Sequence, residues 1–337
     1  MQLSCLYFVR NRFLNRIIKD YLIILSISFL ITLYLFETFL YKKELLENRE
    51  KIYFNQTGKV FDTRSKLGVY EDLNTIGEYV VDIGTYYYLL HQNKSDIFPL
   101  SGISDFKTIH CNENGYFTIY ESDRYGFNNP DDNWDSDEIE YLLVGDSFTH
   151  GACVNRPNDM GSVLRNLSKQ SVLNLGYSGN GPLIEFATLR EYMNSNVKKV
   201  LWIYFEDNDL SGLHNEMSDK ILMKYYNDAT FKQNLKFRQK EIDNLSVTFI
   251  NKEKSKSKIK NDKGILKVEL INFIKITNLR VLIYPPPKLT PKLKEILKLT
   301  KEFVSDNNSK LYFIYLPGYA RYSTSYDNKS YNLVKNI

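Results

Sequence analysis

Hydrophobic positions follow two unlike patterns along this chain. From Tyr21 to Tyr41 the residues YLIILSISFLITLYLFETFLY form one continuous apolar run with a single charge, Glu37. About twenty apolar residues is the length that crosses a bilayer as a helix. Beyond residue 140 the apolar positions come in short runs: YLLVG (141–145), SVLNLG (171–176), KVLWIYF (199–205), RVLIY (280–284) and KLYFIYLP (310–317). Helical patterns fall between them, at about Pro157 to Leu167, Leu183 to Met193, and Thr290 to Val304. The last opens with Thr290 as N-cap and Pro291 at the first helical position. Short buried runs alternating with helices predict a mainly parallel sheet covered on both faces, a three-layer, flavodoxin-like α/β domain.

The intervening sequence is less regular. KKELLENREK (42–51) reads as a short helix continuing from the apolar run, YFTIY (116–120) as a strand, and DRYGFNNPDDNWDSDE (123–138) as a turn-rich loop broken by Gly126 and Pro130. The expected organisation is a basic segment over 1–20, a membrane span over 21–41, a juxtamembrane segment and N-terminal extension over 42–139, and the α/β domain over 140–337. NKEKSKSKIKNDK (251–263) carries no core pattern and reads as a solvated loop or insertion.

An uncleaved anchor is the expected role of the 21–41 run. Tyr21, Tyr34 and Tyr41 supply interfacial aromatics, and Glu37 lies near the far end, within reach of the interface. A signal peptide would be followed by a small-x-small cleavage pattern, and none follows here. Arg10, Arg12, Arg16 and Lys19 precede the span, while Lys42, Lys43, Arg49 and Lys51 follow it. A short basic N-terminus that stays inside would export the C-terminal domain to a periplasmic or extracellular compartment.

Net charge is +4 with 25% charged residues, a near-balance unlike that of a dedicated nucleic-acid binder. Cys5 lies before the span, and Cys111 and Cys153 lie after it. In an exported domain Cys111 and Cys153 can pair, whereas a reducing compartment would leave two thiols. The cysteine spacings match no zinc pattern, so neither a metal nor another cofactor is expected.

Three strand ends carry the candidate chemistry. In YLLVGDSFTHGACV, Ser147 would stand just past the carboxyl end of a central strand, where open α/β sheets place their ligands. Gly145 permits a sharp turn there, and Gly151 permits close approach of the next segment. The alternative is an ordinary turn serine. NLGYSGNGP packs Gly176, Gly179 and Gly181 together, which lets backbone N–H groups face a site; the alternative is a plain flexible loop. YFEDNDL brings Asn208 to the same edge, as an amide donor or as the cap of the next helix.

This order resembles the SGNH (GDSL-type) hydrolases, named for the Ser, Gly, Asn and His of four blocks. GDSFTHG is similar to the first block, with Ser147 as nucleophile and a backbone oxyanion donor. NLGYSGNG is similar to the second, with Gly179 as backbone oxyanion donor, and EDND to the third, with Asn208 as side-chain donor. Glu206 stands where the third block usually has glycine. The likeness runs from about Glu140 to Tyr326 and implies an ester hydrolase or O-acyl transferase, working on acyl esters such as acetyl groups of envelope glycans.

The fourth block, D-x-x-H, has no counterpart here. The histidines are His91, His110, His150 and His214, and none has aspartate three residues before it. Either the domain is C-terminally incomplete, which needs fewer assumptions, or its base is unconventional; as it stands the chain is expected to be a poor esterase. His150, three residues from Ser147, is not expected to face its hydroxyl. The alternative is a non-catalytic glycan-binding or scaffold protein with the same cleft. A nucleotide- or phosphate-binding reading of GYSGNG is weaker, because the loop lacks the P-loop lysine.

Overall fold

The structure, a computed structural model, describes residues 16–46, 49–90, 95–259, 273–276, 279–280, 291–318, 322, 331 and 334–335. The chain divides into two compact units, one of Met1–Ile52 with Ser257–Pro285, the other of Tyr53–Lys256 with Pro286–Ile337.

In the first unit, helix α1 (Arg16–Leu46) contains the apolar run. It is long and apolar enough to span a membrane, and its side chains are almost all exposed. Glu37 departs from expectation. Its carboxylate is buried and accepts a hydrogen bond from the backbone N–H of Leu279 at 2.8 Å, rather than extending to an interface. Nearby, the Tyr34 ring lies 5.4 Å from that of Phe273, and its hydroxyl donates to the Ile274 carbonyl. A carboxylate on an apolar helix is costly unless hydrogen-bonded, and this return of the chain supplies the donor. The strand expected at 280–284 falls mostly outside the described residues; Arg280 itself is helical.

The chain continues through α2 (Arg49–Thr57), α3 (Lys66–Leu73), β1 (Tyr79–Val81), α4 (Thr85–Leu90), β2 (Lys107–Ile109) and β3 (Ile119–Glu121). Then come β4 (Ile139–Gly145), α5 (Ser147–His150), α6 (Met160–Ser168), β5 (Val172–Asn174), α7 (Pro182–Tyr192), β6 (Val197–Phe205) and α8 (Asp209–Glu216). The last elements are α9 (Leu222–Asn227), α10 (Gln239–Ile259), α11 (Pro291–Asp306) and β7 (Lys310–Leu316).

Strands β5, β4, β6 and β7 form one sheet in that order, every pair parallel. Strand alternation sorts its side chains to two faces. Leu142 and Val144 enter the large core with α7 and α11, whereas Leu143 joins Val172 and Ile203 against Met160 and Leu164 of α6. The parallel α/β layout is thus present, with core on both faces of the central strands.

Residues 53–139 are more than a layer laid on this domain. Tyr88, Ile97, Phe98, Leu100, Phe127 and Trp134 belong to the same core cluster as the sheet. The region also builds a second small sheet, in which β1 runs parallel and β3 antiparallel to β2. The lysine-rich stretch differs from the loop expected of it, because α10 runs through it to Ile259; residues 260–263 lie outside the described residues. Lys and Glu are good helix formers, and a helix already anchored by buried Ile242 and Ile250 propagates through them.

Candidate functional site

Parallel pairing brings the carboxyl ends of β4, β5 and β6 to one edge, and all three sequence-derived site residues follow those ends. Gly145 closes β4, where an added Cβ would lie 2.7 Å from the Ile203 carbonyl oxygen, so only glycine permits this approach of the two strands. Asp146 then caps the one-turn helix α5, accepting from the Phe148 N–H at 2.9 Å. Ser147 is half-buried beside it, its hydroxyl 3.4 Å from Asp146 Oδ2.

Asn208 donates its amide to the same Oδ2 at 3.2 Å and makes no side-chain cap on α8. The capping alternative for this side chain is thereby set aside. An amide nitrogen carries two hydrogens, and with one given to Asp146 the other is left for an incoming oxygen. Burial pushes the Asp146 carboxyl up, against the hydrogen bonds from Phe148, Asn208 and Ser147 that favour its ionised form. Glu206, in place of the usual glycine, is buried and accepts from the Gly318 N–H at 2.9 Å, tying the β6 end to the segment after β7.

The loop after β5 hangs from the end of β4. The Tyr177 N–H donates to the Gly145 carbonyl at 3.2 Å, and the Asn180 amide donates to it at 3.4 Å. Gly179 has φ +85 and is exposed; an added Cβ would lie 2.9 Å from the Tyr86 nitrogen, so this position requires glycine on both counts. Downstream, Glu216 accepts from the N–H groups of Gly181 (2.6 Å) and Leu183 (2.9 Å) and holds the start of α7. An open groove of about 700 Å³ lies alongside α5, lined by Phe148, Ala152, Val154, Met160, Ile203 and Leu316 among others; Ser147 is not part of its lining.

Of the histidines, His91 lies outside the described residues and His214 is exposed on α8. His110 and His150 are buried, and both turn to Ser178 rather than Ser147. Ser178 Oγ lies 2.8 Å from His110 Nε2 and 3.1 Å from His150 Nδ1, and the Ser178 N–H donates to that same Nδ1 at 3.2 Å. Asp82, just past β1, places Oδ2 3.5 Å from His110 Nε2. A serine, a histidine and an aspartate therefore meet, but serine and carboxylate address one ring nitrogen. A triad needs the carboxylate on one nitrogen and the serine on the other, so this grouping is no proton relay.

Burial dominates the charges of this cluster. It pushes the His150 imidazolium down to about 3, with His110 adding to the effect. His110 is lowered by burial too, against the attraction of Asp82. Burial raises the Asp82 carboxyl, but His110, His150 and Lys66 together outweigh it and leave a net lowering. Cys111 and Cys153 are joined in a disulfide with a Cα–Cα distance of 5.0 Å. The bond staples the residue after His110 to the loop beyond His150.

Sequence reasoning missed Asp82 altogether and gave His110 and Ser178 no role. Asp82 and His110 follow strands of only three residues in the irregular region, where no periodicity marks a strand end. No family model matches the chain, and comparison with curated proteins and with solved structures finds no match.

Proposed function

We propose that this chain is a membrane-anchored ester hydrolase or O-acyl transferase of the SGNH type, acting on acyl esters, acetyl esters of envelope glycans among them. In this reading Ser147 is the nucleophile, and its N–H, the Gly179 N–H and the Asn208 amide receive the oxyanion. One observation carries it: the Ser147 hydroxyl and the Asn208 amide, from different strand ends, meet on Asp146 Oδ2. A turn serine and a capping asparagine would have no reason to share a buried acceptor. The apolar groove alongside α5, which begins at Phe148, supports an acyl group as the part of the substrate bound there. Helix α1 supports work at a membrane surface.

The general base is the weak point of the reaction. Among the described residues no histidine bonds to Ser147, because His110 and His150 are engaged with Ser178. A serine hydroxyl without a base is a poor nucleophile, and the oxyanion hole and binding alone leave a residual rate. The expected behaviour is slow turnover of an acetyl ester such as p-nitrophenyl acetate by the purified chain, abolished in Ser147→Ala. Unchanged turnover in that variant would remove Ser147 as nucleophile. Binding of an acetylated glycan with no turnover at all would favour the non-catalytic binding protein.

A further inference from the structure

We propose that Asp82, His110 and His150 form a binding site for a divalent metal ion of the zinc class, separate from the serine chemistry. Each offers one ligand atom, a carboxylate oxygen or an imidazole nitrogen, and these atoms all lie within 4.8 Å of one another. The 3.5 Å between His110 Nε2 and Asp82 Oδ2 is close to the edge of a tetrahedron with metal–ligand bonds of about 2.0–2.2 Å. The three side chains come from three segments: the parallel register of β1 and β2 sets Asp82 beside His110, and His150 is brought to them from α5.

The second observation concerns atoms left over. His150 Nε2 is buried with no hydrogen-bond partner, and Asp82 Oδ1 has none of ordinary geometry, although the Tyr177 hydroxyl comes close enough to the Asp82 carboxylate to favour its ionised form. Asp82 is 7% exposed and His150 fully buried. A buried carboxylate oxygen and a buried ring nitrogen each cost free energy when unpaired, and a bound cation is one of the few ways to recover it. A hydrogen-bonded network built only for stability would pair every buried atom, and here His150 Nε2 stays unpaired.

The surroundings are those of an ion site. The Tyr177 ring stacks on His150 at 4.8 Å and Tyr120 packs edge-on at 5.2 Å, walling the imidazole from water. Ser178 Oγ holds His150 through Nδ1 and leaves Nε2 for an ion, as outer partners of ligating histidines do, whereas at His110 it meets Nε2 itself and would yield that nitrogen to the ion. The Cys111–Cys153 bond holds the His110 and His150 segments at a fixed separation before any ion arrives. Two nitrogens and one carboxylate suit zinc or a similar transition ion rather than calcium or magnesium, which prefer all-oxygen sets. The cysteine spacings gave no hint of this, because the cysteines brace the site instead of ligating in it.

Full-length protein in detergent, stripped with chelator and titrated with zinc chloride, tests the proposal by calorimetry and by metal content after desalting. The expected result is one zinc per chain and a rise in unfolding temperature that EDTA reverses. Asp82→Asn keeps the side-chain shape, and it and His110→Ala should each weaken binding more than the roughly 10–100-fold typical of losing an outer partner. His91→Ala/His214→Ala should bind zinc as the parent does. Less than half an equivalent bound by the parent overturns the site. So does zinc binding that survives both Asp82→Asn and His110→Ala, or that disappears in His91→Ala/His214→Ala.

Discussion

Asn208 and Ser147, at the ends of adjacent strands β6 and β4, are joined through one atom, Asp146 Oδ2. Asp146 thereby sets both the hydroxyl that would attack and the amide that would receive the oxyanion. The carboxylate is a positioning residue, and its removal should look unlike removal of either partner.

Loss of an oxyanion donor of this kind costs roughly 10²–10³ in rate. Asn208→Ala should therefore lower kcat for acetyl-ester turnover by about that factor with KM little changed. Asp146→Asn should lower kcat as well, since its single oxygen can serve either the Phe148 N–H or the Ser147 and Asn208 pair, and its NH2 is turned toward whichever is left. A kcat for Asn208→Ala within about twofold of the parent would detach Asn208 from the reaction.

The parts of this arrangement that were legible in the sequence share one property. YLLVG, SVLNLG and KVLWIYF are buried on both faces, so their apolar runs are unbroken and their ends can be placed, and with them Ser147, Gly179 and Asn208. Asp82 and His110 follow strands of the small sheet that are only partly buried and too short for any period to register. Glu37 was legible as a lone charge but not as an acceptor, because its donor, Leu279, comes from a distant part of the sequence. Long-range pairing of this kind has no local signal.

Helix α1 makes a membrane prediction that is independent of the chemistry. Its apolar length should keep the expressed chain in the pellet after alkaline carbonate washing, which releases peripheral proteins. A variant lacking residues 1–41 should move to the supernatant. Release of the full chain by carbonate would mean that α1 does not span.

The Cys111–Cys153 bond closes a loop over a sequence separation of 42 residues. A closure of that length stabilises a fold by about 3–4 kcal/mol on chain-entropy grounds, less any strain. Alkylating the unfolded but unreduced protein should add one label, on Cys5, and reduction beforehand should raise this to three. Reduced protein should unfold at a lower urea midpoint than oxidised protein. Three labels without reduction would show two thiols instead.

Glu216 offers a test by pH. Burial pushes its carboxyl up to about 8 from an ordinary 4.5, although the Gly181 and Leu183 N–H groups favour the ionised form. The folded protein therefore holds this proton more tightly than the unfolded chain does. The contribution is complete below pH 4.5 and is lost as pH rises through about 8. Asp123, pushed up to about 6 by burial, acts in the same sense at lower pH, where the depressed His150 acts in the opposite sense. Between about pH 6.5 and 8.5 Glu216 acts with Glu185 and Asp209, which burial also raises, and Lys236, which burial lowers to about 8, opposes them at the upper end. Urea midpoints should thus fall across that window, and fall less steeply in Glu216→Gln. That variant should also be less stable throughout by about 1–3 kcal/mol, because its amide turns a donor toward one of the two N–H groups. A parent midpoint that rises across the same window would mean that these buried carboxyls are ionised in the folded protein.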